Sequence, residues 1–566
     1  MKKLFSTCFV FYLVCHLFAQ ADPQSIGYEA DVSPRIESAS EEHDDISLQY
    51  AETLQSDDDI FRLIRVLFLQ STGVCLVDHE PASRAELALY LEQIDPNQLD
   101  AATRELYARA YEYIYKKKYL VHDKVFSLDA NAQLALQIQY NESKKLLRAD
   151  KIANYNKTPA LIAVPISLNM SQYVNFASMF ELKKGFGATQ ESLPFTNMPL
   201  KDDAVDVQFP HQANFAFANS FMCFSVARGR YNIGQTLNGS LFTAAASHSL
   251  DSFSLRFFHK NFNIASSVYI MERYRYWFTH EINFRITKYA ALRFFEGTTE
   301  YGSFDIRYLN PMIIFHNLYG WDEGKVNGLT PNGSQLGIGL ELVPYKGLRF
   351  YAQFEMNQIQ TAYEKKHYAE DSAVTPNSLG GLCGIEYAHV FPVGVLTVQN
   401  EFLYANPWLN ILEHKKISLL DVHTEKVAPP AYLNTAFPIW LTNPLGPDTI
   451  AFTTKISFDN FFNYGAAFQY RFIAKGENED AFFAATKPED ANVYYPSTAN
   501  PGLATLKTPS GKPLYVHSIS LEAFDEPYKN LRLQAALQFS FFSGRERKTA
   551  VFASLSMNYK LGADSF

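Results

Sequence analysis

Between residues 272 and 286 the chain alternates two chemistries. One set is Tyr274, Tyr276, Phe278, Ile282, Phe284 and Ile286; the other is Arg273, Arg275, Trp277, Thr279, Glu281, Asn283 and Arg285. Successive side chains of an extended strand point to opposite faces, so the second set shares one face. Guanidinium forks pair with carboxylate or phosphate in bidentate geometry, and an aromatic ring beside them can stack on the apolar face of a sugar. The combination suits acidic sugars. Arg256, Arg293, Asp305, Arg307, Arg349 and Glu355 lie in neighbouring segments and extend the surface. The ligand-binding candidates are therefore Arg273, Arg275, Trp277, Arg285, Arg293, Arg307 and Arg349. A second reading stays open for each arginine, in which opposite charges inside a large β structure merely satisfy one another.

Residues for other chemistries do not assemble. No GxSxG, HExxH or GxxxxGK[ST] occurs. His280 and Glu281 are adjacent and so point to opposite faces of a strand. Glu370-Asp371 and Glu479-Asp480 sit in loop-like sequence and read as solvated charge. Cys75, Cys223 and Cys383 are widely spaced, with no CxxC pair to hold zinc, and are expected to be buried small apolar groups. No catalytic residue, metal or cofactor is expected, and the chain reads as a non-enzyme.

The elements carrying these residues follow from composition and period. Of 566 residues, 47% are hydrophobic, 15% aromatic and 19% charged, the last below the roughly 25% of soluble domains. So heavy an aromatic load excludes general disorder, and a formal net charge of −9 argues against nucleic acid as a partner. Lys2 and Lys3, the apolar run Leu4 to Val14 and the Ala19-Gln20-Ala21 site read as an export signal over 1–21. No later run of about 18 apolar residues could form a helical membrane span. Residues 22–56, with Glu41-Glu42-His43-Asp44-Asp45, read as an acidic flexible arm.

Residues 57–120 carry a helical period. Ile60, Leu63, Ile64 and Leu67 recur at helical spacing. Ser83 and Glu86 form a capping box ahead of Leu87 and Leu91, and a third helix starts after Asp100. From about Val125 to the end (125–566) the period is two. Leu336, Ile338, Leu340 and Leu342 alternate with Gly337, Gly339 and Glu341; Phe350, Ala352, Phe354 and Met356 alternate with Arg349, Tyr351, Gln353 and Glu355. The segments are about ten residues long, the length of a tilted strand crossing a bilayer, and their apolar faces are rich in Phe and Tyr. An exported chain with so much β pattern and no disulfide framework fits a closed transmembrane antiparallel β-barrel. Such a barrel satisfies every backbone group inside lipid and has no edges. At about 23 residues per strand the region holds about 18 strands, preceded by a small α-helical domain. A terminal aromatic, Phe566, resembles the signal read by the barrel assembly machinery, although Gly562-Ala563-Asp564-Ser565 puts it out of phase with the last strand.

Several runs resemble the capsule assembly Wzi family. Asp59 to Asp95 is similar to that family's opening: a helix, Gly73-Val74, then Pro81-Ala82-Ser83-Arg84 and a second helix. Arg307-Tyr308-Leu309-Asn310-Pro311 resembles its mid-barrel segment, Arg349-Phe350-Tyr351-Ala352-Gln353-Phe354 the strand after it, and Leu445-Gly446-Pro447-Asp448 its late turn. The resemblance implies an 18-stranded outer-membrane barrel with a periplasmic helical bundle, a lectin whose partners are surface or capsular polysaccharide and outer-membrane lipid. Three long connections, Glu181 to Gln212, His414 to Pro447 (with the Ala428-Pro429-Pro430 break and Trp440) and Gly476 to Pro513 (with Tyr494 and Tyr495), are expected to face outside. The alternative is a diffusion porin for small solutes.

Overall fold

The computed structural model describes residues 48–561 apart from Asp57, Lys124 and the segments 190–195, 201–204, 208–209, 245–248, 316–330, 368–374, 427–433, 485–494 and 497–499. The export signal, most of the acidic arm, Glu370-Asp371, Ala428-Pro429-Pro430, Tyr494 and Phe566 lie outside the described residues.

Eighteen antiparallel strands close into a barrel. Phe126–Ala130 and Ala132–Asn141 form one strand interrupted at Asn131; it pairs with Ile162–Met170 on one side and with the last strand, Lys548–Leu561, on the other. That final pairing removes the sheet edges. The alternating residues take the sides their period assigns. Ile338, Phe354, Phe402, Phe452, Ile456, Phe539 and Leu555 stand exposed on the outside, while Gln335, Glu355, Glu386, Glu401 and Gln538 are buried inside. So wide an exposed apolar belt is foreign to a water-soluble monomer and matches a lipid phase. Cys75 and Cys223 are buried, but Cys383 is exposed on the outward phase of Ser378–Phe391, which corrects the expectation of three buried thiols.

The two ends differ. One has connections of two residues, at 260–261, 288–289, 346–347, 392–393 and 529–530. The other carries the segments 142–161, 183–211, 230–249, 302–331, 359–377, 406–448 and 476–513. Three helices seat on the short-turn end: α1 (Asp59–Gln70), α2 (Arg84–Leu91) and α3 (Ala101–Tyr115). Each is capped by a side chain on the first turn's orphan N–H groups. Asp58 accepts from the Ile60 N–H at 3.0 Å, Ser83 from Glu86 at 3.3 Å and Asp100 from Thr103 at 2.9 Å. Their apolar faces share a core with Val343, Val395 and Phe461 of the barrel. Arg62 donates both guanidinium branches to Asp459 at 2.6 and 2.7 Å and stacks over Phe461 at 4.3 Å.

The second half of the expected capping box is used elsewhere. The Glu86 carboxylate turns to the barrel wall and accepts from Arg256 and Asn263, both at 2.7 Å. Burial pushes this carboxyl up to about 7 although Arg256 pulls it down. The folded chain therefore binds that proton more tightly than the unfolded chain, so the charge penalty is absent at acid pH and grows as pH rises through 7. Lowering the pH from about 8 to about 5 is expected to raise the melting temperature of the helical domain. Glu86→Gln is expected to flatten that dependence; a slope unchanged in the variant would assign it to other groups.

The region read as all strand contains a fourth helix, α4 (Arg148–Lys157). Asp150 accepts from Arg471 and Lys157 pairs with Glu522, on strands four and three places along the wall from Ala132–Asn141, so α4 folds back over the inner face of the wall into the lumen. Its signal, the buried Leu146, Ala149 and Ile152 at spacings of three, is short and sits between two strong period-two runs.

Candidate functional site

The lumen is filled on one side by the chain itself. The segment 231–244 descends from the long-loop end: Gly234 N–H donates to the Asp78 carbonyl at 2.7 Å, the Leu237 and Asn238 amides to Glu401 at 2.6 and 2.8 Å, and the Leu241 amide to Gln353 at 2.9 Å. Phe242 stacks on Phe295 at 5.1 Å. It occupies the place a side chain would take at Gly337, where a Cβ would meet its ring at 2.3 Å; the inward glycine of the alternating run exists for this close approach. Two further stretches, 408–421 and 439–443, lie beside the first. The Ala244 amide donates to Leu441 at 3.1 Å, and Asn443 donates to the Gly239 carbonyl at 2.6 Å.

The seven candidate residues are not brought together into one binding face. Arg275 donates to the carbonyls of Lys416 at 2.8 Å, Ser418 at 2.7 Å and Leu420, clamping the stretch 408–421. Arg293 lies between Asp78 and Glu281, and Glu281 also binds His79. Arg349 donates to Glu341 at 2.9 Å, Glu386 at 3.1 Å and the Gln235 carbonyl at 3.0 Å. Arg285 holds the helical domain through Gln93 at 2.8 Å and the Val74 carbonyl at 3.0 Å. Trp277 is fully buried against Tyr269. Arg273 is exposed in a tight connection, over Tyr274 at 4.8 Å. Arg307 is outside the barrel, paired with Asp305 at 2.7 Å, where the sequence suggested a lumen strand. The internal-satisfaction reading therefore describes Arg275, Arg285, Arg293 and Arg349, whose terminal guanidinium nitrogens are spent on carbonyls, carboxylates and an amide of the chain itself.

The other side of the lumen stays open. A cavity of about 540 Å³ lies at the long-loop end between α4 and the strands Ile162–Met170, Val174–Leu182, Gln212–Ala218 and Met222–Gly229. Tyr155 projects there, edge-on to Phe186 at 5.4 Å and under the Lys183 ammonium at 4.5 Å. His211 stands between Glu181 and Asp206, 2.9 Å from each. Burial would lower its pKa, but the bonds to the two carboxylates hold it at about 9, so the imidazole is a cation at neutral pH. Arg228 forks onto Asp251 at 2.7 and 2.8 Å. A second cavity of about 690 Å³ follows the wall towards Arg62 and Asp459, lined by small residues such as Ala466, Ser520, Ala536 and Ser554. Asn156, Lys157 and Arg230 line both. Sequence reasoning missed this site. Its charged residues are scattered over five segments without a common period, and α4, which forms one side, was read as strand. Among the described residues no cluster of His, Cys, Asp or Glu could hold a metal ion.

No family model matches the chain, and no curated protein matches it. Among solved structures it is similar to Wzi of Escherichia coli, described as an outer membrane protein involved in group 1 capsule assembly and a carbohydrate-binding β-barrel. The likeness covers 90% of this chain and 99% of that one at 13% identity, with a TM-score of 0.53. OprD of Pseudomonas aeruginosa aligns over 79% of this chain and 97% of its own at 9% identity, with a TM-score of 0.39. The fold is Wzi-like, a closed antiparallel β-barrel of eighteen strands.

Proposed function

We propose that this chain is a non-enzymatic outer-membrane barrel that binds and retains surface or capsular polysaccharide at its long-loop end, with the helices on the periplasmic side and no cofactor. The observation carrying the reading is the shape of the free space. The lumen is blocked on one side by 231–244 with 408–421 and 439–443, and what remains opens to the long-loop end as a polar cavity with an aromatic group, Tyr155, among hydrogen-bonding side chains. Stacking on a ring with charged and amide partners around it is how a polar polymer is held by many weak contacts, which add up through effective concentration.

The test replaces Lys157 and Arg230 together by Gln. Cells carrying the variant are expected to shed several-fold more polysaccharide into the medium while keeping normal amounts of folded barrel. In the wild type, release is expected to grow with salt, because partly exposed ionic contacts are screened within about 8 Å at physiological ionic strength. Unchanged retention would remove this cavity from the mechanism. A diffusion porin is the second reading, favoured by the way the two cavities adjoin at Asn156, Lys157 and Arg230. A steady conductance of the wild type in planar bilayers would support it; silence supports the retention reading.

A further inference from the structure

The segment after strand Ala290–Tyr301 does not stay at the rim. It turns down over the outer wall, where Tyr308 stacks on Phe278 at 5.0 Å, Phe304 meets Tyr276 at 5.2 Å and Phe315 lies 4.0 Å from His280. Asn332 fixes it by donating to the Tyr308 hydroxyl at 2.8 Å. Tyr276, Phe278 and His280 belong to the outward phase of Arg275–Thr287, so the segment covers part of the lipid-facing surface instead of the lumen.

Below it is a cavity of about 540 Å³, walled by Ile282, Phe294, Ile338 and Phe354 of four neighbouring strands and by Met312 and Ile314 of the segment. Its outer roof is apolar as well: Met312 is 87% exposed and Ile306 74%, so the segment itself presents a hydrophobic surface to the surroundings. His280 and Glu296 are direct partners in the strand register and stand on the floor. They form the polar spot in an otherwise apolar wall, where a lipid-facing charge near mid-bilayer is costly.

We propose that this outer-wall groove holds an acyl chain of a membrane lipid. The groove is continuous with the apolar belt, so a chain enters it without leaving the hydrocarbon phase. Its size falls within the roughly 300–1,000 Å³ of small-molecule sites, and its lining offers a hydrocarbon tail contact on two sides, where the bare wall offers one. A chain seated there also covers the His280 and Glu296 side of the floor with apolar matter and keeps water from it.

The experiment reconstitutes the full chain in vesicles of phosphatidylethanolamine and phosphatidylglycerol doped with phosphatidylcholine that carries a diazirine on its acyl chain. After irradiation, adducts are mapped by mass spectrometry. The yield per residue at Met312, Ile314 and Ile338 is expected to exceed that at Phe452 and Ile456, exposed belt residues of another strand, several-fold. Ile338→Trp, which fills the groove, is expected to abolish that excess while the yield at Phe452 and the fraction of folded barrel stay unchanged. Ile314→Asn, on the segment and outside the barrel strands, repeats the test should the first variant assemble poorly. Equal yields per residue over groove and belt would overturn the proposal. So would protection of the groove together with a dimer on native electrophoresis, which would assign it to a second copy of the chain.

Discussion

Replacing Arg349 by Met is expected to destabilise the closed barrel by about 3–5 kcal/mol, the usual consequence of removing one partner from a buried ion pair. The side chain ties three parts of the molecule together: Glu341 on its neighbouring strand, Glu386 on the next, and the carbonyl of Gln235 in the segment that fills the lumen. Its loss leaves Glu341 desolvated and Glu386 with Arg65 of α1 at 3.1 Å. The filling segment loses a tether in the same step. Arg307→Met is the contrasting variant. Its pair with Asp305 is partly exposed, and exposed pairs contribute about 0–1 kcal/mol. Denaturant midpoints in lipid micelles, with trypsin access to α1 as a second readout, separate the two. Equal midpoints would show that the filling segment is held without Arg349.

The contrast between these two arginines marks where the sequence stops being readable. Alternation with period two assigned Ile338 and Phe354 to the outside and Glu355 and Gln353 to the inside, because the pleat forces that division whatever the partners are. The helices of 57–120 were legible for the same reason: their caps, Ser83 and Asp100, act within one turn. Inward arginines have no such local rule. Arg349 meets Gln235, and Arg275 meets Lys416, Ser418 and Leu420, more than a hundred residues away along the chain. Whether such a group faces water, a sugar or a carbonyl depends on which connection returns into the lumen. The connection 230–249 has no period to announce it. A hint was present in Gly337 and Gly339, inward positions of a strand that otherwise carries large residues, since an absent side chain on the inner face makes room for another segment. The resemblance to the Wzi family was right about the fold, whereas the polar-face reading that put Arg307 among the lumen residues was not: its segment lies on the outer wall.

Phe539→Arg and Gln538→Arg, adjacent substitutions of the same charge, are expected to differ widely in their effect on assembly. Phe539 stands 40% exposed on the outward face of Leu531–Gly544, whereas Gln538 points inward. An arginine on the lipid side near mid-bilayer costs about 2–4 kcal/mol, because the charge must reach the interface along the strand or draw water into the hydrocarbon. At Gln538 the new side chain instead meets the larger lumen cavity, whose lining includes Gln538 itself. There Glu522, which Lys157 of α4 already pairs, can share its carboxylate with the new charge: Ser520 is the register partner of Gln538, and Glu522 is its diagonal neighbour on the same inner face. The inward arginine thus gains water and a carboxylate, and the outward one gains neither. Heat-modifiable mobility on gels, measured for protein extracted from membranes, reports the folded fraction of each. Loss of folded barrel is expected for Phe539→Arg and near wild-type amounts for Gln538→Arg. Equal loss in both would mean that the cavity beside Gln538 does not admit a longer side chain, and the open half of the lumen would then have to be as closely packed as the half filled by 231–244.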